Sequence, residues 1–254
     1  MSAIEPNILS ILERAETEGS SLRLTGKLDR KSYVAVNAVL EAVGGKWNKK
    51  AKAHVFECDA DDALEQILLT GEVITKKTVQ QEFGFFPTPE AIAHEAVSAA
   101  RIEPGMLVLE PSAGHGALAE LARAHGGKVH CFELLADNVA ELEKRLLPVT
   151  AGDFLEQPVD PIYDRVVMNP PFAKQADIKH VMHALKFLKP GGRLVAIMSA
   201  GSTFRSDRRT VEFNMAVEEM GGRVTRLPDG AFKAAGTMVN TILLTLDTPK
   251  EPTP

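Results

Sequence analysis

The chain has 254 residues, 44% of them hydrophobic, and a formal net charge of -5. That length buries one α/β core and leaves room for a small accessory module, while the acidic balance excludes a uniformly basic coat for nucleic acid and leaves only local patches. The opening Met1-Ser2-Ala3-Ile4-Glu5-Pro6 has no basic n-region, and nowhere do about 18 apolar residues run together, so the expectation is a soluble, cytoplasmic protein without a membrane partner.

Ile8, Leu9, Ile11, Leu12 and Ala15 recur at helical spacing and predict an amphipathic helix from Ile4 to Glu18, ended by Gly19-Ser20-Ser21. Leu22-Arg23-Leu24 alternates like a strand. Asp29 is placed to cap a helix to about Val43, and Gly44-Gly45 breaks it before Lys46-Trp47-Asn48. Lys49-Lys50-Ala51-Lys52 reads as a hairpin turn into Ala53-His54-Val55-Phe56, and Asp61 to Leu69 as a further helix. Residues 1–80 thus form a small βαββα-like module. Arg23, Lys27, Arg30, Lys31, Lys46, Lys49, Lys50 and Lys52 against Asp29 and Glu41 give residues 23–52 a net charge of +6. Lysines beside Trp47 could grip phosphates and a base or sugar; the alternative is a solvated hairpin with Trp47 in the core. The polar stretch Glu72 to Phe83 reads as a linker. Cys58 and Cys131 are too far apart for a CxxC motif and read as reduced thiols.

Residues 81–247 read as a second domain. In Phe86-Pro87-Thr88-Pro89-Glu90, Thr88 caps a helix to about Ala100 and Pro89 fits its first position. Met106 to Leu109 is an apolar strand, and Glu110-Pro111-Ser112-Ala113-Gly114-His115-Gly116 turns it into a helix. The glycines allow close backbone approach, and Glu110 puts a negative charge where a ligand's ammonium group could sit. No GxxxxGK[ST] pattern is present. The next strand, Lys128 to Phe132, ends in Glu133 followed by Leu134, an acid placed to accept from ribose hydroxyls. These features leave a dinucleotide and an adenosyl-methionine site both open. Asp153-Phe154 offers a carboxylate and a ring for an adenine amine.

Val166-Val167-Met168 must end as a strand at Asn169-Pro170-Pro171-Phe172, because proline lacks an N–H and holds its predecessor extended. There the Asn169 amide and the Pro170 carbonyl can both accept from one planar –NH2, and Phe172 offers a ring face to the group carrying it. This is the chemistry of an amine being methylated. Gln175 to Leu188 reads as a helix carrying Asp177, His180 and His183 on one face, taken as solvated with no metal expected. Lys189-Pro190-Gly191-Gly192 is a turn, Arg193 to Met198 a buried strand, and Ser199 to Arg209 a polar loop whose Arg205, Arg208 and Arg209 could clamp nucleic acid. Val224 to Leu227 and Met238 to Leu246 close the sheet, and residues 248–254 form a disordered tail.

From Phe83 to Leu246 this order of pieces resembles the class I S-adenosyl-methionine-dependent methyltransferases, in the amino-methylating branch that includes adenine-N6 DNA methyltransferases. The resemblance implies a Rossmann-like, mostly parallel seven-stranded sheet with helices on both faces. It implies S-adenosyl-methionine held by Phe86, Pro87, Thr88, Glu110, Pro111, Ser112, Ala113, Gly114, Gly116, Glu133, Leu134, Asp153, Phe154 and Asn169, with catalysis at Asn169, Pro170, Pro171 and Phe172. The implied partner is duplex DNA with a flipped adenine, contacted by Lys46, Trp47, Lys49, Lys50, Lys52, Arg205, Arg208 and Arg209, in a bacterium, phage or mobile element. An RNA base or a protein glutamine amide is the alternative substrate, because Asn rather than Asp opens the tetrad.

Overall fold

Three aspartates start helices by accepting backbone N–H groups that the first turn leaves without partners. Asp29 accepts from Lys31 and Ser32, Asp59 from Asp61, and Asp207 from Thr210. The computed structural model describes residues 4–56, 59–71, 86–235, 237 and 239–250. The expected linker 72–83 and Cys58 lie outside the described residues. Two units form, Met1–Gly84 with Gly236–Val239, and Phe85–Ala235 with Asn240–Pro254.

In the smaller unit α1 (Pro6–Glu13), α2 (Arg30–Ala42) and α3 (Ala60–Thr70) accompany β1 (Glu16–Glu18), β2 (Ser21–Arg23), β3 (Lys46–Asn48) and β4 (Ala53–Val55). The antiparallel sheet has the order β1-β2-β4-β3. Leu12, Leu22, Val36 and Leu40 are fully enclosed in its core. The first helix is shorter than expected: Glu16–Glu18 pairs with Ser21–Arg23 as a hairpin whose turn uses Gly19 at φ +54°, a conformation costly for other residues. Three successive polar residues carry no apolar signal, so the sequence offers nothing there to interrupt the helical period of α1.

The larger unit contains α4 (Glu90–Ala100), β5 (Leu107–Glu110), α5 (Ala117–Ala124), β6 (Lys128–Glu133), α6 (Ala136–Lys144), β7 (Val149–Ala151), β8 (Tyr163–Met168), α7 (Ala176–Ala184), β9 (Leu188–Ser199), α8 (Arg208–Glu219), β10 (Arg223–Arg226) and β11 (Thr241–Asp247). Its seven strands run in the order β10-β11-β9-β8-β5-β6-β7, parallel except for β11, which is antiparallel to both neighbours. This is the Rossmann-like sheet expected. Central strands covered on both faces must be apolar throughout; Val166, Val167, Met168 and Leu194 through Met198 have no exposed surface. Arg165 Nε and Arg193 Nη1 donate to the Ala100 and Ala99 carbonyls, satisfying the end of α4 from the sheet beneath it.

The turn expected at 189–192 lies inside β9 as an irregularity, where the pairing jumps from Tyr163–Leu188 to Arg165–Arg193. The tail is not loose at its start. Thr248 donates from its backbone to Gly192 O and from Oγ1 to Lys189 O, and Pro249 O accepts from Gly191. Among the described residues no helix is long and apolar enough to cross a membrane.

Candidate functional site

In the order β8-β5-β6-β7 the chain runs outward from β5 through β6 to β7 and, on the other side, through β8 to β9. The carboxyl ends of β5 and β8 therefore flank the point where the winding reverses, which is where open α/β sheets hold ligands. Asn169 follows β8, Glu110 closes β5, Glu133 closes β6 and Asp153 follows β7. With neighbouring strands about 4.8 Å apart, one sheet edge gathers all four.

Asn169 is oriented by its own amide. Nδ2 donates to the Phe86 carbonyl at 3.1 Å and to Thr88 Oγ1 at 3.0 Å, which leaves Oδ1 buried without a partner. Thr88 does not cap α4 as expected. Pro89 occupies the cap position without a side-chain bond, and the threonine hydroxyl is turned to Asn169 instead. A Thr-Pro pair fits either role, so nothing in the spacing separates them.

Glu110 is buried, and its Oε2 also lacks a partner. Burial pushes its carboxyl well above the usual carboxylate range; the amide of Ala119 opposes the shift and the nearby Glu133 charge adds to it. Glu133 is held between two backbone amides, Oε2 accepting from Gly114 at 2.7 Å and Oε1 from Leu135 at 2.8 Å. The carboxylate thereby ties the glycine turn to the end of β6. Gly116 has φ +83°, and a side chain there would press on Leu142 and Leu147 at under 3 Å, so α5 can start only from glycine. Pro111 and Ala113 are buried, Ser112 is half-buried and Leu134 is exposed. A pair of mutually repelling carboxylates, one with an unpartnered oxygen, fits a cationic ligand, and the second lone pairs on Glu133 remain for hydroxyls.

Asp153 Oδ1 accepts from Leu155, which leaves Oδ2 for a ligand amine. Phe154 is buried among Phe132, Phe187 and His183, and packs in the core beneath the edge. Phe172 also differs from expectation. Its ring is 3% exposed, stacked on Phe86 with centroids 6.4 Å apart and met edge-on by Phe232 at 6.1 Å. Pro170 is buried and Pro171 half-buried.

Behind the tetrad, Lys174 and Gln175 both have φ +55°, two successive left-handed residues that carry side chains. Gln175 is clamped there: Nε2 donates to Asp207 Oδ2 at 2.8 Å and Oε1 accepts from Arg209 at 3.2 Å. Asp177, two residues on, accepts from Ile178 and from Ser199 at the end of β9. Asp177 is buried, not solvated as expected, and burial pushes its carboxyl up to about 7 against the pull of the Ser199 and Ile178 amides. His180 is also buried, with Nδ1 against Ala176 O at 2.8 Å. The Ser199 to Arg209 segment is thus fastened to the residues behind the tetrad, a link between polar groups that no periodicity in the sequence announces. Arg208 pairs with Glu212 on the exposed face of α8.

In the smaller unit Lys46, Trp47 and Asn48 form an edge strand exposed along its length, with Lys49, Lys50 and Lys52 exposed at the turn beyond it. Trp47 is not core. In the larger unit a groove of about 470 Å³ lined by Arg101, Arg193, Arg223 and Asp247 opens toward the amino-terminal ends of the parallel strands, away from the tetrad.

The sheet order and the edge it builds are those of a Rossmann-like methyltransferase fold. Residues 108–216 match the family model described as Methyltransferase small domain, a stretch that runs from β5 through the tetrad into α8. S-adenosyl-methionine is the cofactor of such a domain, and the acidic edge from Glu110 to Glu133 fits its cationic groups. A protein of Pyrococcus horikoshii provisionally described as an RNA methyltransferase is similar in structure, with TM-score 0.50, 24% identity, and coverage of 69% of this chain and 92% of the other. One of Listeria monocytogenes, provisionally described as a class I S-adenosylmethionine-dependent methyltransferase, has TM-score 0.53, 16% identity, and coverage of 76% and 69%. TrmN from Thermus thermophilus has TM-score 0.46, 20% identity and coverage of 63% of this chain, which spans about half of TrmN, 48%. No curated protein matches the chain by sequence.

Proposed function

We propose that the protein methylates the exocyclic N6 amine of adenine in DNA. The observation that carries this reading is Asn169 Oδ1, buried, unpartnered and locked in direction because its Nδ2 is held by Phe86 and Thr88. A sealed acceptor without a donor costs about 1–3 kcal/mol, and an –NH2 group returns that stabilisation. With the Pro170 carbonyl as second acceptor, the amine is held by both hydrogens, its nitrogen is drawn toward tetrahedral geometry, and its lone pair is left free. Glu110 would hold the cofactor's ammonium, Glu133 its ribose hydroxyls and Asp153 Oδ2 its adenine amine. When bound, S-adenosyl-methionine supplies an electrophilic methyl group. The Asn169 and Pro170 oxygens keep the nitrogen aimed as it becomes cationic, and its surplus proton leaves to solvent, since a methylated cationic amine is acidic.

The adenine reaches this point flipped out of the duplex. Phe172 would wall its pocket, and the base must part the ring from Phe86 to stack on it. Lys46, Trp47, Lys49, Lys50, Lys52, Arg205, Arg208 and Arg209 would supply DNA contacts. The test is tritiated-methyl transfer from S-adenosyl-methionine by the purified chain to duplex DNA, total RNA and protein, followed by nucleoside and amino-acid analysis. N6-methyladenine in the DNA arm is the expected result. Label confined to RNA or to glutamine moves the substrate to that class, and no label in any arm overturns the reading.

A further inference from the structure

The smaller unit, offered above as a source of DNA contacts, holds a feature that neither the tetrad nor the cofactor edge includes. His54 is fully buried, and its Nε2 lies 2.8 Å from Asn37 Oδ1 on α2. The His54 ring is met edge-on by Trp47, its cross-strand partner, at 5.2 Å. Residues four apart share a helix face, so Tyr33 stands one turn before Asn37 on the side that bridges to the sheet. Trp47 is 45% exposed and Tyr33 38%. The part-buried Asn37–His54 contact thus links the helix that carries Tyr33 to the strand pair that carries Trp47. Burial holds the His54 imidazole below its ordinary pKa, with the Glu41 charge opposing.

Exposed aromatic side chains grouped on a surface mark a place that a partner covers. The cover is identified by charge: residues 23–52 carry +6 in a chain of -5, and Lys49, Lys50 and Lys52 stand at the turn that follows Trp47. Flat rings surrounded by flexible cations match a strand whose bases are free to stack and whose phosphates are spaced along one side. Paired bases cannot offer their faces, whereas unpaired ones can.

We infer that Tyr33 and Trp47 form a stacking platform for unpaired nucleotides, with Lys49, Lys50 and Lys52 gripping the phosphates. The platform binds without the cofactor and independently of the tetrad, so it stands whether or not the chain methylates adenine.

Trp47 is the only tryptophan in the chain, so its emission reports stacking directly. The full chain, without S-adenosyl-methionine, is titrated with fluorescein-labelled oligo(dT), oligo(rU) and a mixed-sequence duplex, reading tryptophan emission and label anisotropy together. Expected are quenching by the single strands and a weaker duplex complex, with the dT and rU arms deciding between DNA and RNA. Trp47→Ala should weaken single-strand binding about tenfold and Trp47→Phe much less. Replacing Lys49, Lys50 and Lys52 by Gln should reduce the salt slope by about 0.7 for each phosphate no longer gripped. Circular dichroism of each variant establishes that the unit has folded, and Tyr33→Ala, on an exposed helix face, is a second probe should Trp47→Ala unfold. Anisotropy that rises while tryptophan emission stays constant overturns the platform. So does a duplex bound as tightly as the single strands, or a folded Trp47→Ala chain with unchanged affinity.

Discussion

The two units use polar and aromatic groups at opposite depths. At the carboxyl edge of the large sheet, Asn169 and Glu110 each hide an unpartnered oxygen, and Phe172 is enclosed by Phe86 and Phe232. In the small unit Trp47 and the turn lysines stand in water. A buried acceptor left without a donor is a standing cost that a bound donor can offset, and the low dielectric around it makes direction count. Exposed cations and rings cost little, bind through many weak contacts, and are weakened by salt. The contrast matches the two roles proposed above: chemistry needs a few groups fixed in one direction, and grip needs many groups aimed loosely.

The largest test of that contrast removes the aimed oxygen. Asn169→Ala should lower turnover about a thousandfold while calorimetry finds the cofactor bound nearly as before; turnover within about tenfold of wild type would break the comparison. Glu110→Gln comes next. Loss of a charge-assisted bond to an ammonium group should weaken cofactor binding about ten- to a hundredfold. Because Glu110's carboxyl sits above its ordinary range, wild-type affinity should rise with pH as it ionises, and the Gln variant should lose that rise in titrations across pH.

Thr88→Val keeps shape and removes only the hydroxyl that holds Asn169. A fall in kcat of about tenfold or less with an unchanged cofactor Kd is expected from one neutral hydrogen bond; a change in Kd alone would make Thr88 a cofactor contact instead. The remaining test reads stability instead of activity and concerns Asp177. Its carboxyl is raised to about 7 in the fold, so its contribution to stability is fully present below the unfolded value near 3.8 and lost as pH rises through 7. The thermal stability of Asp177→Asn should therefore gain on wild type between about pH 4 and about pH 8, and parallel melting curves across that range would deny the shift.

Asn169, Glu110 and Glu133 are legible in the sequence because strand ends are marked by local chemistry: two prolines in one case, a glycine turn and a change from apolar to acidic in the others. The alternation of apolar strands with helical segments is equally plain, since burial on both faces leaves the ends of β8 and β9 without a polar interruption. What escapes depends on contacts far apart in the chain. Thr88 meets Asn169 across 81 positions, and local spacing lets it look like a cap. Phe172 looks free to present a face, but Phe86 and Phe232 arrive from distant segments to cover it. Glu16–Glu18 is a strand only because Ser21–Arg23 folds back on it, and Asp177 is buried only because β9 ends above it.

Lys174 and Gln175 sit in a backbone region that costs a residue with a side chain roughly 1–2 kcal/mol, a penalty glycine would not meet. Gln175 reaches Asp207 and Arg209 from there, and Asp177 reaches Ser199. Two stretches well apart in the chain are therefore one cooperative piece, and slow amide exchange at 173–177 should rise and fall together with that at 199–209. Loosening of the arginine-bearing segment at any temperature is then also loosening of the ground on which Asn169 stands.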